Sequence, residues 1–227
     1  MADRPSEPML LPPTLGLMSD PLASVDLFWL PLGAGGNFVR LNGLVYEAVM
    51  AALQRRHRYD LYHSALEVTL PEGRFTIEQT PAAAHGEERG VVGVGPIGAK
   101  WLADRIAIFH YEFRCWRDGV IPDIDEAVES PRRLTTDIET ARRILDLAPK
   151  APFLLWGRDD LRVGDMWNSN SQISWLIVKS GLDANSIEPP AGGRAPGWRA
   201  GLVAAATCPP AAESASSSSP ALFDSDR

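Results

Sequence analysis

Between Asp60 and Thr80 the chain alternates with period two, and few folds satisfy that pattern other than a half-buried sheet. Ser64, Leu66, Val68 and Leu70 interleave with His63, Ala65, Glu67 and Thr69; after Pro71-Glu72-Gly73, Phe75 and Ile77 interleave with Arg74, Thr76 and Glu78. The spacing predicts a β-hairpin with one apolar face. Because the side-chain period is two, Leu66, Val68, Phe75 and Ile77 share that face, and His63 and Glu78 share the other.

A second stretch, Gly164 to Gly181, predicts a helix. Asn168-Ser169-Asn170-Ser171 are small polar residues suited to its N-terminus, Ile173, Leu176, Ile177 and Ser180 form an inner stripe, and Gly181 ends it. Elsewhere, Val25 to Leu32 reads as a buried strand and Phe38 to Val45 as a small hairpin around Asn42-Gly43. Tyr46 to Arg56 reads as a helix, and Ile106 to Trp116 as a long strand. Thr136-Asp137-Ile138-Glu139 reads as a capping box opening a helix through Leu147, and Pro196 to Ala205 as a closing strand. The expected class is α+β, an antiparallel sheet packed with helices in a single domain over residues 20–206. Residues 1–19 are expected to form a flexible Pro-rich arm, and residues 207–227 a disordered Pro/Ala/Ser tail.

Charge and cysteine usage narrow the function. Asp plus Glu number 29 against 22 Lys plus Arg, a formal charge of −7, so a general nucleic-acid binder is not expected. Cys115 and Cys208 lie far apart and support neither a disulfide framework nor a zinc site; both are expected as free thiols. His57, His63, His85 and His110 fall at no metal-ligand spacing, so no metal is implied. Gly33-Ala34-Gly35-Gly36 lacks the Lys-Ser/Thr ending of a phosphate loop. Gly93 to Gly98 matches the dinucleotide pattern GxGxxG, but the helical segment after it is too short to cross back over a sheet, so no cofactor is expected. With neither a signal-peptide pattern nor an apolar run of spanning length, a soluble cytoplasmic protein without a transmembrane segment is the expectation.

The order of these features resembles the circularly permuted papain-like group of the NlpC/P60 superfamily, which includes YiiX-like and lecithin-retinol-acyltransferase-like proteins. The elements that carry the resemblance are a first strand with Asp26 near its start, a strand opening with His63, a partner ending Phe75-Thr76-Ile77-Glu78, and a helix with a small-polar N-terminus closing at Ser180-Gly181-Leu182. It implies an α+β fold with a strand histidine, a polar residue on the neighbouring strand and a helix N-terminal cysteine that carry acyl or peptide hydrolysis or transfer. Counting back from Gly181 by the group's spacing lands on Ser169, and no cysteine lies in the segment.

The expectation is therefore a hydrolase or acyltransferase acting on an amide or ester of a small-molecule, lipid or peptide substrate. Ser169 would be the nucleophile, His63 the base and Glu78 its orienting carboxylate. Asn168, Asn170, Ser171 and Trp167 would be the substrate-binding residues, with Ser171 and the amides of Asn168 and Asn170 as alternatives to Ser169. All four polar residues are equally good helix caps. The second expectation is a catalytically silent domain of the same type that binds a peptide, lipid or protein partner in the same groove.

Overall fold

The computed structural model describes residues 22–32, 59–81, 90–97 and 110–207. Within them the protein is α+β, with an antiparallel sheet and three α-helices. The strands are β1 (Ser24–Pro31), β2 (Asp60–Leu70), β3 (Gly73–Pro81), β4 (Val91–Pro96), β5 (His110–Arg117), β6 (Arg132–Thr135) and β7 (Gly193–Arg194). The helices are α1 (Ile138–Leu147), α2 (Ser169–Lys179) and α3 (Trp198–Thr207). The sheet runs β4-β5-β3-β2-β1-β6, every neighbour antiparallel, and β7 lies parallel to the first two residues of β2.

The hairpin has the expected faces. Leu66 stands opposite Ile77 and Val68 opposite Phe75, while Glu67 opposes Thr76 on the other side. The apolar side of β1, β2, β3 and β5 presents Val25, Leu27, Trp29, Leu66, Val68, Ile77, Tyr111 and Phe113 to the main core, and α1 and α2 pack on it. The opposite side carries a small cluster, Phe28, Leu30, Ala65 and Ile121, amid polar and charged residues. On that side Asp26 is buried and ion-paired with Arg133 at 2.5 Å, and it accepts the Ser24 hydroxyl at 2.9 Å.

Three expectations need correction. The α1 cap is Asp137, not Thr136: its Oδ2 accepts the Thr140 amide at 2.8 Å and the Thr140 hydroxyl at 2.6 Å. Helix α2 has no single inner stripe, since every residue from Asn170 to Ile177 is buried; it is enclosed by the sheet, α1 and α3. The expected closing strand at Pro196–Ala205 is helix α3, whose small residues Ala200, Gly201 and Ala204 are buried. A Cβ on Gly201 would run into the Ser171 carbonyl and the Ser174 hydroxyl, so α3 and α2 approach backbone to backbone.

The GxGxxG stretch lies largely within edge strand β4, opposite β5, rather than in a strand-to-helix turn. Gly93 and Gly95 stand opposite Phe113 and Tyr111, and added Cβ atoms would strike Phe153 and Tyr111. These glycines make room for Tyr111 and for Phe153, whose ring is centred 6.5 Å from Tyr111 and 6.4 Å from Phe113. The expectations for the Gly33–Gly36 loop, the Phe38–Val45 hairpin, the Tyr46–Arg56 helix, His57, His85, the first residues of the long strand, both termini and Cys208 lie outside the described residues.

The α2–α3 contact generates a prediction. Gly201→Ala gains about 1 kcal/mol of helix propensity, whereas forcing a methyl against a buried carbonyl costs about 1–3 kcal/mol. Steric cost wins: chemical denaturation should show a lowered midpoint, and Gly201→Val a larger drop.

Candidate functional site

The N-terminus of α2 is a dense polar junction. Asn168 is the cap: its Oδ1 accepts the Asn170 amide at 2.9 Å, and its own amide donates to Ser171 Oγ at 3.0 Å, closing a reciprocal capping box. Ser171 Oγ in turn donates to the Gly197 carbonyl at 2.8 Å. Asn168 Nδ2 and Asn170 Nδ2 both donate to the Pro196 carbonyl at 2.8 Å. Asn170, buried, also donates to the Tyr62 carbonyl at 2.9 Å and accepts the Ser64 hydroxyl at 2.8 Å. One amide side chain thus joins β2, α2 and the turn into α3.

Asp165 caps the start of α3. Its Oδ1 accepts the Gly197 amide at 2.8 Å and its Oδ2 the Arg199 amide at 3.2 Å. Burial pushes this carboxyl above its usual range, and the amides of Gly197, Met166, Arg199 and Ala200 oppose the shift. Gly197 has φ +91, and a Cβ there would strike Asn168 Oδ1, so the turn requires glycine.

Three of the polar residues singled out in the sequence are therefore structural. Asn168, Asn170 and Ser171 cap and clamp, and Trp167 is buried in the core with its indole nitrogen near the Tyr111 hydroxyl but outside hydrogen-bond geometry. Ser169, half-buried at the first helical position, is the hydroxyl of the group with no hydrogen-bond partner among the described residues.

The expected Ser169, His63 and Glu78 constellation is not assembled. Ser64, not His63, projects to α2; consecutive strand residues face opposite sides, so His63 lies with Ala65 on the charged face. No hydrogen bond joins Ser169 to His63, and none joins His63 to Glu78. His63 and Glu78 do share a face, as the period requires. The physical reason for the correction is that α2 seeks apolar surface, and the apolar side of β2 is the side of Ser64 and Leu66.

On the charged face, Glu78 is buried opposite Arg114 of β5. The Arg114 guanidinium is committed elsewhere, donating to Glu112 Oε2 from Nε at 3.0 Å and from Nη2 at 2.6 Å. Desolvation raises the Glu78 carboxyl from 4.5 to about 7, with Arg114 pulling it down. Desolvation lowers His63 from 6.5 to about 4, opposed by Asp123. A neutral imidazole of such low basicity is a weak general base at neutral pH. On the core side of β5, Cys115 is a free thiol pushed up to about 11 by burial, which makes it a poor nucleophile.

Among the described residues no group of His, Cys, Asp and Glu side chains forms a metal-binding cluster. No family model, curated protein or solved structure matches this chain.

The two shifts make opposite contributions to stability. Glu78 keeps its proton in the folded state from pH 4.5, where the unfolded chain loses it, to about 7, so stability falls as pH rises through that window. The unfolded chain protonates His63 near 6.5 and the folded chain only near 4, so stability falls as pH drops through that window. Where the windows overlap, folding moves a proton from imidazole to carboxyl with no net uptake. Urea midpoints of the wild type should show little dependence from these two groups between about pH 4.5 and 6.5. Glu78→Gln should make stability rise with pH there and His63→Gln should make it fall, each by at most about 1.4 kcal/mol per pH unit.

Proposed function

We propose that the chain is a catalytically silent domain of the permuted papain-like type, which binds a peptide, lipid or protein partner in place of hydrolysing or transferring an acyl group. The observation that carries this reading is the commitment of the α2 N-terminus to the fold. The Asn168, Asn170 and Ser171 side chains are spent on capping and on holding Pro196, Gly197, Tyr62 and Ser64. An oxyanion site needs free, aimed donors, and a serine nucleophile needs a base within hydrogen-bond reach. The Asn170 amide is already bonded, and among the described residues no base hydrogen-bonds Ser169.

A cytoplasmic setting is part of the proposal. Among the described residues no helix is long and apolar enough to cross a membrane. The antiparallel sheet with helices packed on one face and a capped helix beside the strand of His63 supports the permuted papain-like assignment by likeness of arrangement.

The second reading, a hydrolase or acyltransferase, draws on the free Ser169 hydroxyl at a helix N-terminus. A serine-reactive activity probe separates the two. The expected outcome is no labelling of the wild type and equal, background rates on simple esters and amides for wild type, Ser169→Ala and His63→Ala. Labelling that disappears in Ser169→Ala, or turnover that disappears in His63→Ala, would establish the enzyme and end the binding-domain reading.

A further inference from the structure

On the charged face of β3 and β5 two carboxyl groups stand within reach of one cation. Arg114 is directly opposite Glu78 across the two strands, yet its guanidinium reaches along its own strand to Glu112, with Nε at 3.0 Å and Nη2 at 2.6 Å from the same oxygen, Oε2. Among the described residues no hydrogen bond joins Arg114 to Glu78. Glu78 is buried, and the Arg114 and Glu112 side chains are 13 % and 16 % exposed. The guanidinium carbon also lies 5.5 Å from the centre of the Trp116 ring, near the outer limit of a cation–π contact. Directly opposed residues on one face have Cβ atoms about 5 Å apart, so side-chain rotation alone brings Arg114 to either carboxyl.

We propose that Arg114 is a two-position switch, bonded to Glu112 while Glu78 carries a proton and transferred to Glu78 when that carboxyl ionises. The inference is independent of the binding-domain reading, since these side chains lie on the face of the sheet away from α2. One cation cannot fully neutralise two carboxylates, and position decides which it serves. With Glu78 protonated and neutral, the guanidinium goes to Glu112. Once Glu78 ionises, its charge is the costlier one to leave unpaired. Glu78 has a strand on each side, β2 and β5, whereas Glu112 has only edge strand β4 beyond it and already reaches solvent.

The proton sits at an accessible point of the pH scale. Desolvation raises Glu78 from 4.5 to about 7, with Arg114 pulling it down, so the Glu112 pair stands below that pH and the Glu78 pair replaces it above. The other titratable and charged groups of this face have their own places. Asp26 of β1 pairs with Arg133 of β6, and Glu67 of β2 with Arg74 of β3. His63 of β2 is acted on by Asp123, in the loop after β5, and His110 opens β5 opposite Pro96. Among the described residues Arg114 is the charged group that acts on Glu78. The outcome of the transfer is a carboxylate, Glu112, released opposite Val94 of the edge strand, and an indole, Trp116, that loses its cation.

Nitrogen NMR of the guanidinium groups and crystal structures of the full chain, each at about pH 5.5 and about pH 8.5, test the switch. In the wild type the Arg114 Nε resonance should move between two limits with a midpoint of about 7. The crystals should show the guanidinium on Glu112 at the lower pH and on Glu78 at the higher. Glu78→Gln, a neutral isostere of the protonated side chain, should hold Arg114 on Glu112 at both values. Glu112→Gln removes the competing carboxylate and should lower the midpoint by about one pH unit or more. A wild-type guanidinium on Glu112 at both values overturns the proposal, as does a resonance that moves equally in Glu78→Gln. A resonance that moves while the guanidinium stays in place reports only the field of the new charge, and it overturns the transfer as well.

Discussion

Asn170 is the side chain on which the arrangement of strand, helix and turn depends. It is buried, and its amide serves the Ser64 hydroxyl, the Tyr62 carbonyl and the Pro196 carbonyl at once. The Pro196 carbonyl keeps the Asn168 amide as a second donor, but the Tyr62 carbonyl would lose its side-chain partner, at about 1–3 kcal/mol. An apolar residue of the same size would strip the Tyr62 carbonyl and the Ser64 hydroxyl of this partner. The same amide fixes the height of α2 along β2, and that height decides how near Gly201 comes to Ser171 and where Gly197 must turn at φ +91. Asp165 then holds the start of α3 from below, so two helix N-termini are capped within one connected network.

The sheet separates two kinds of interior. On one side apolar packing does the work, with Trp29, Ile77, Phe113 and Trp175 all buried. On the other, charges are held close to the sheet and largely out of water, and they are balanced by pairing and by proton position. Arg133 satisfies Asp26, and Arg114 satisfies Glu112. Among the described residues Glu78 and His63 have no ion-pair partner, and between about pH 4 and 7 burial keeps both largely neutral, the proton on the carboxyl. That arrangement removes two buried charges, and it also removes the imidazole from useful base chemistry.

Much of this was legible in the sequence where the signal is local. The period of two around Leu66 and Ile77 gave the hairpin, its faces and the shared side of His63 and Glu78. The small-polar run before Ile173 marked the start of α2, and Gly181 its end, with φ +96 as a helix-ending glycine takes. What failed was long-range. Whether Pro196 to Ala205 became strand or helix depended on Gly201 meeting the Ser171 carbonyl, a contact between residues 30 apart that no local pattern encodes. The same holds for Asp165, whose role as cap of a helix more than thirty residues later has no sequence signature. Gly93 and Gly95 look like a phosphate loop in sequence because the reason for them, the rings of Tyr111, Phe113 and Phe153, lies elsewhere in the chain.

The expectation that His63 would face α2 failed for a more instructive reason, because the sequence already contained the conflict. A helix that buries its flank on β2 must lie on the side of Leu66 and Val68, and on that side the residue nearest the strand's start is Ser64. His63 stands one residue away and therefore on the opposite side. Set against the papain-like expectation, the serine at position 169 is one of two departures. A thiol at position 169 would be favoured as thiolate by the helix N-terminus, but a papain-like pair also needs an imidazolium beside it. Desolvation disfavours protonation of His63 down to about pH 4, and its strand position directs it away from α2. Building such a pair here would require shifting the register of β2 by one residue as well as changing residue 169, and that shift would expose Leu66 and Val68. The buried apolar face that stabilises the sheet thus puts α2 and His63 on opposite sides of β2.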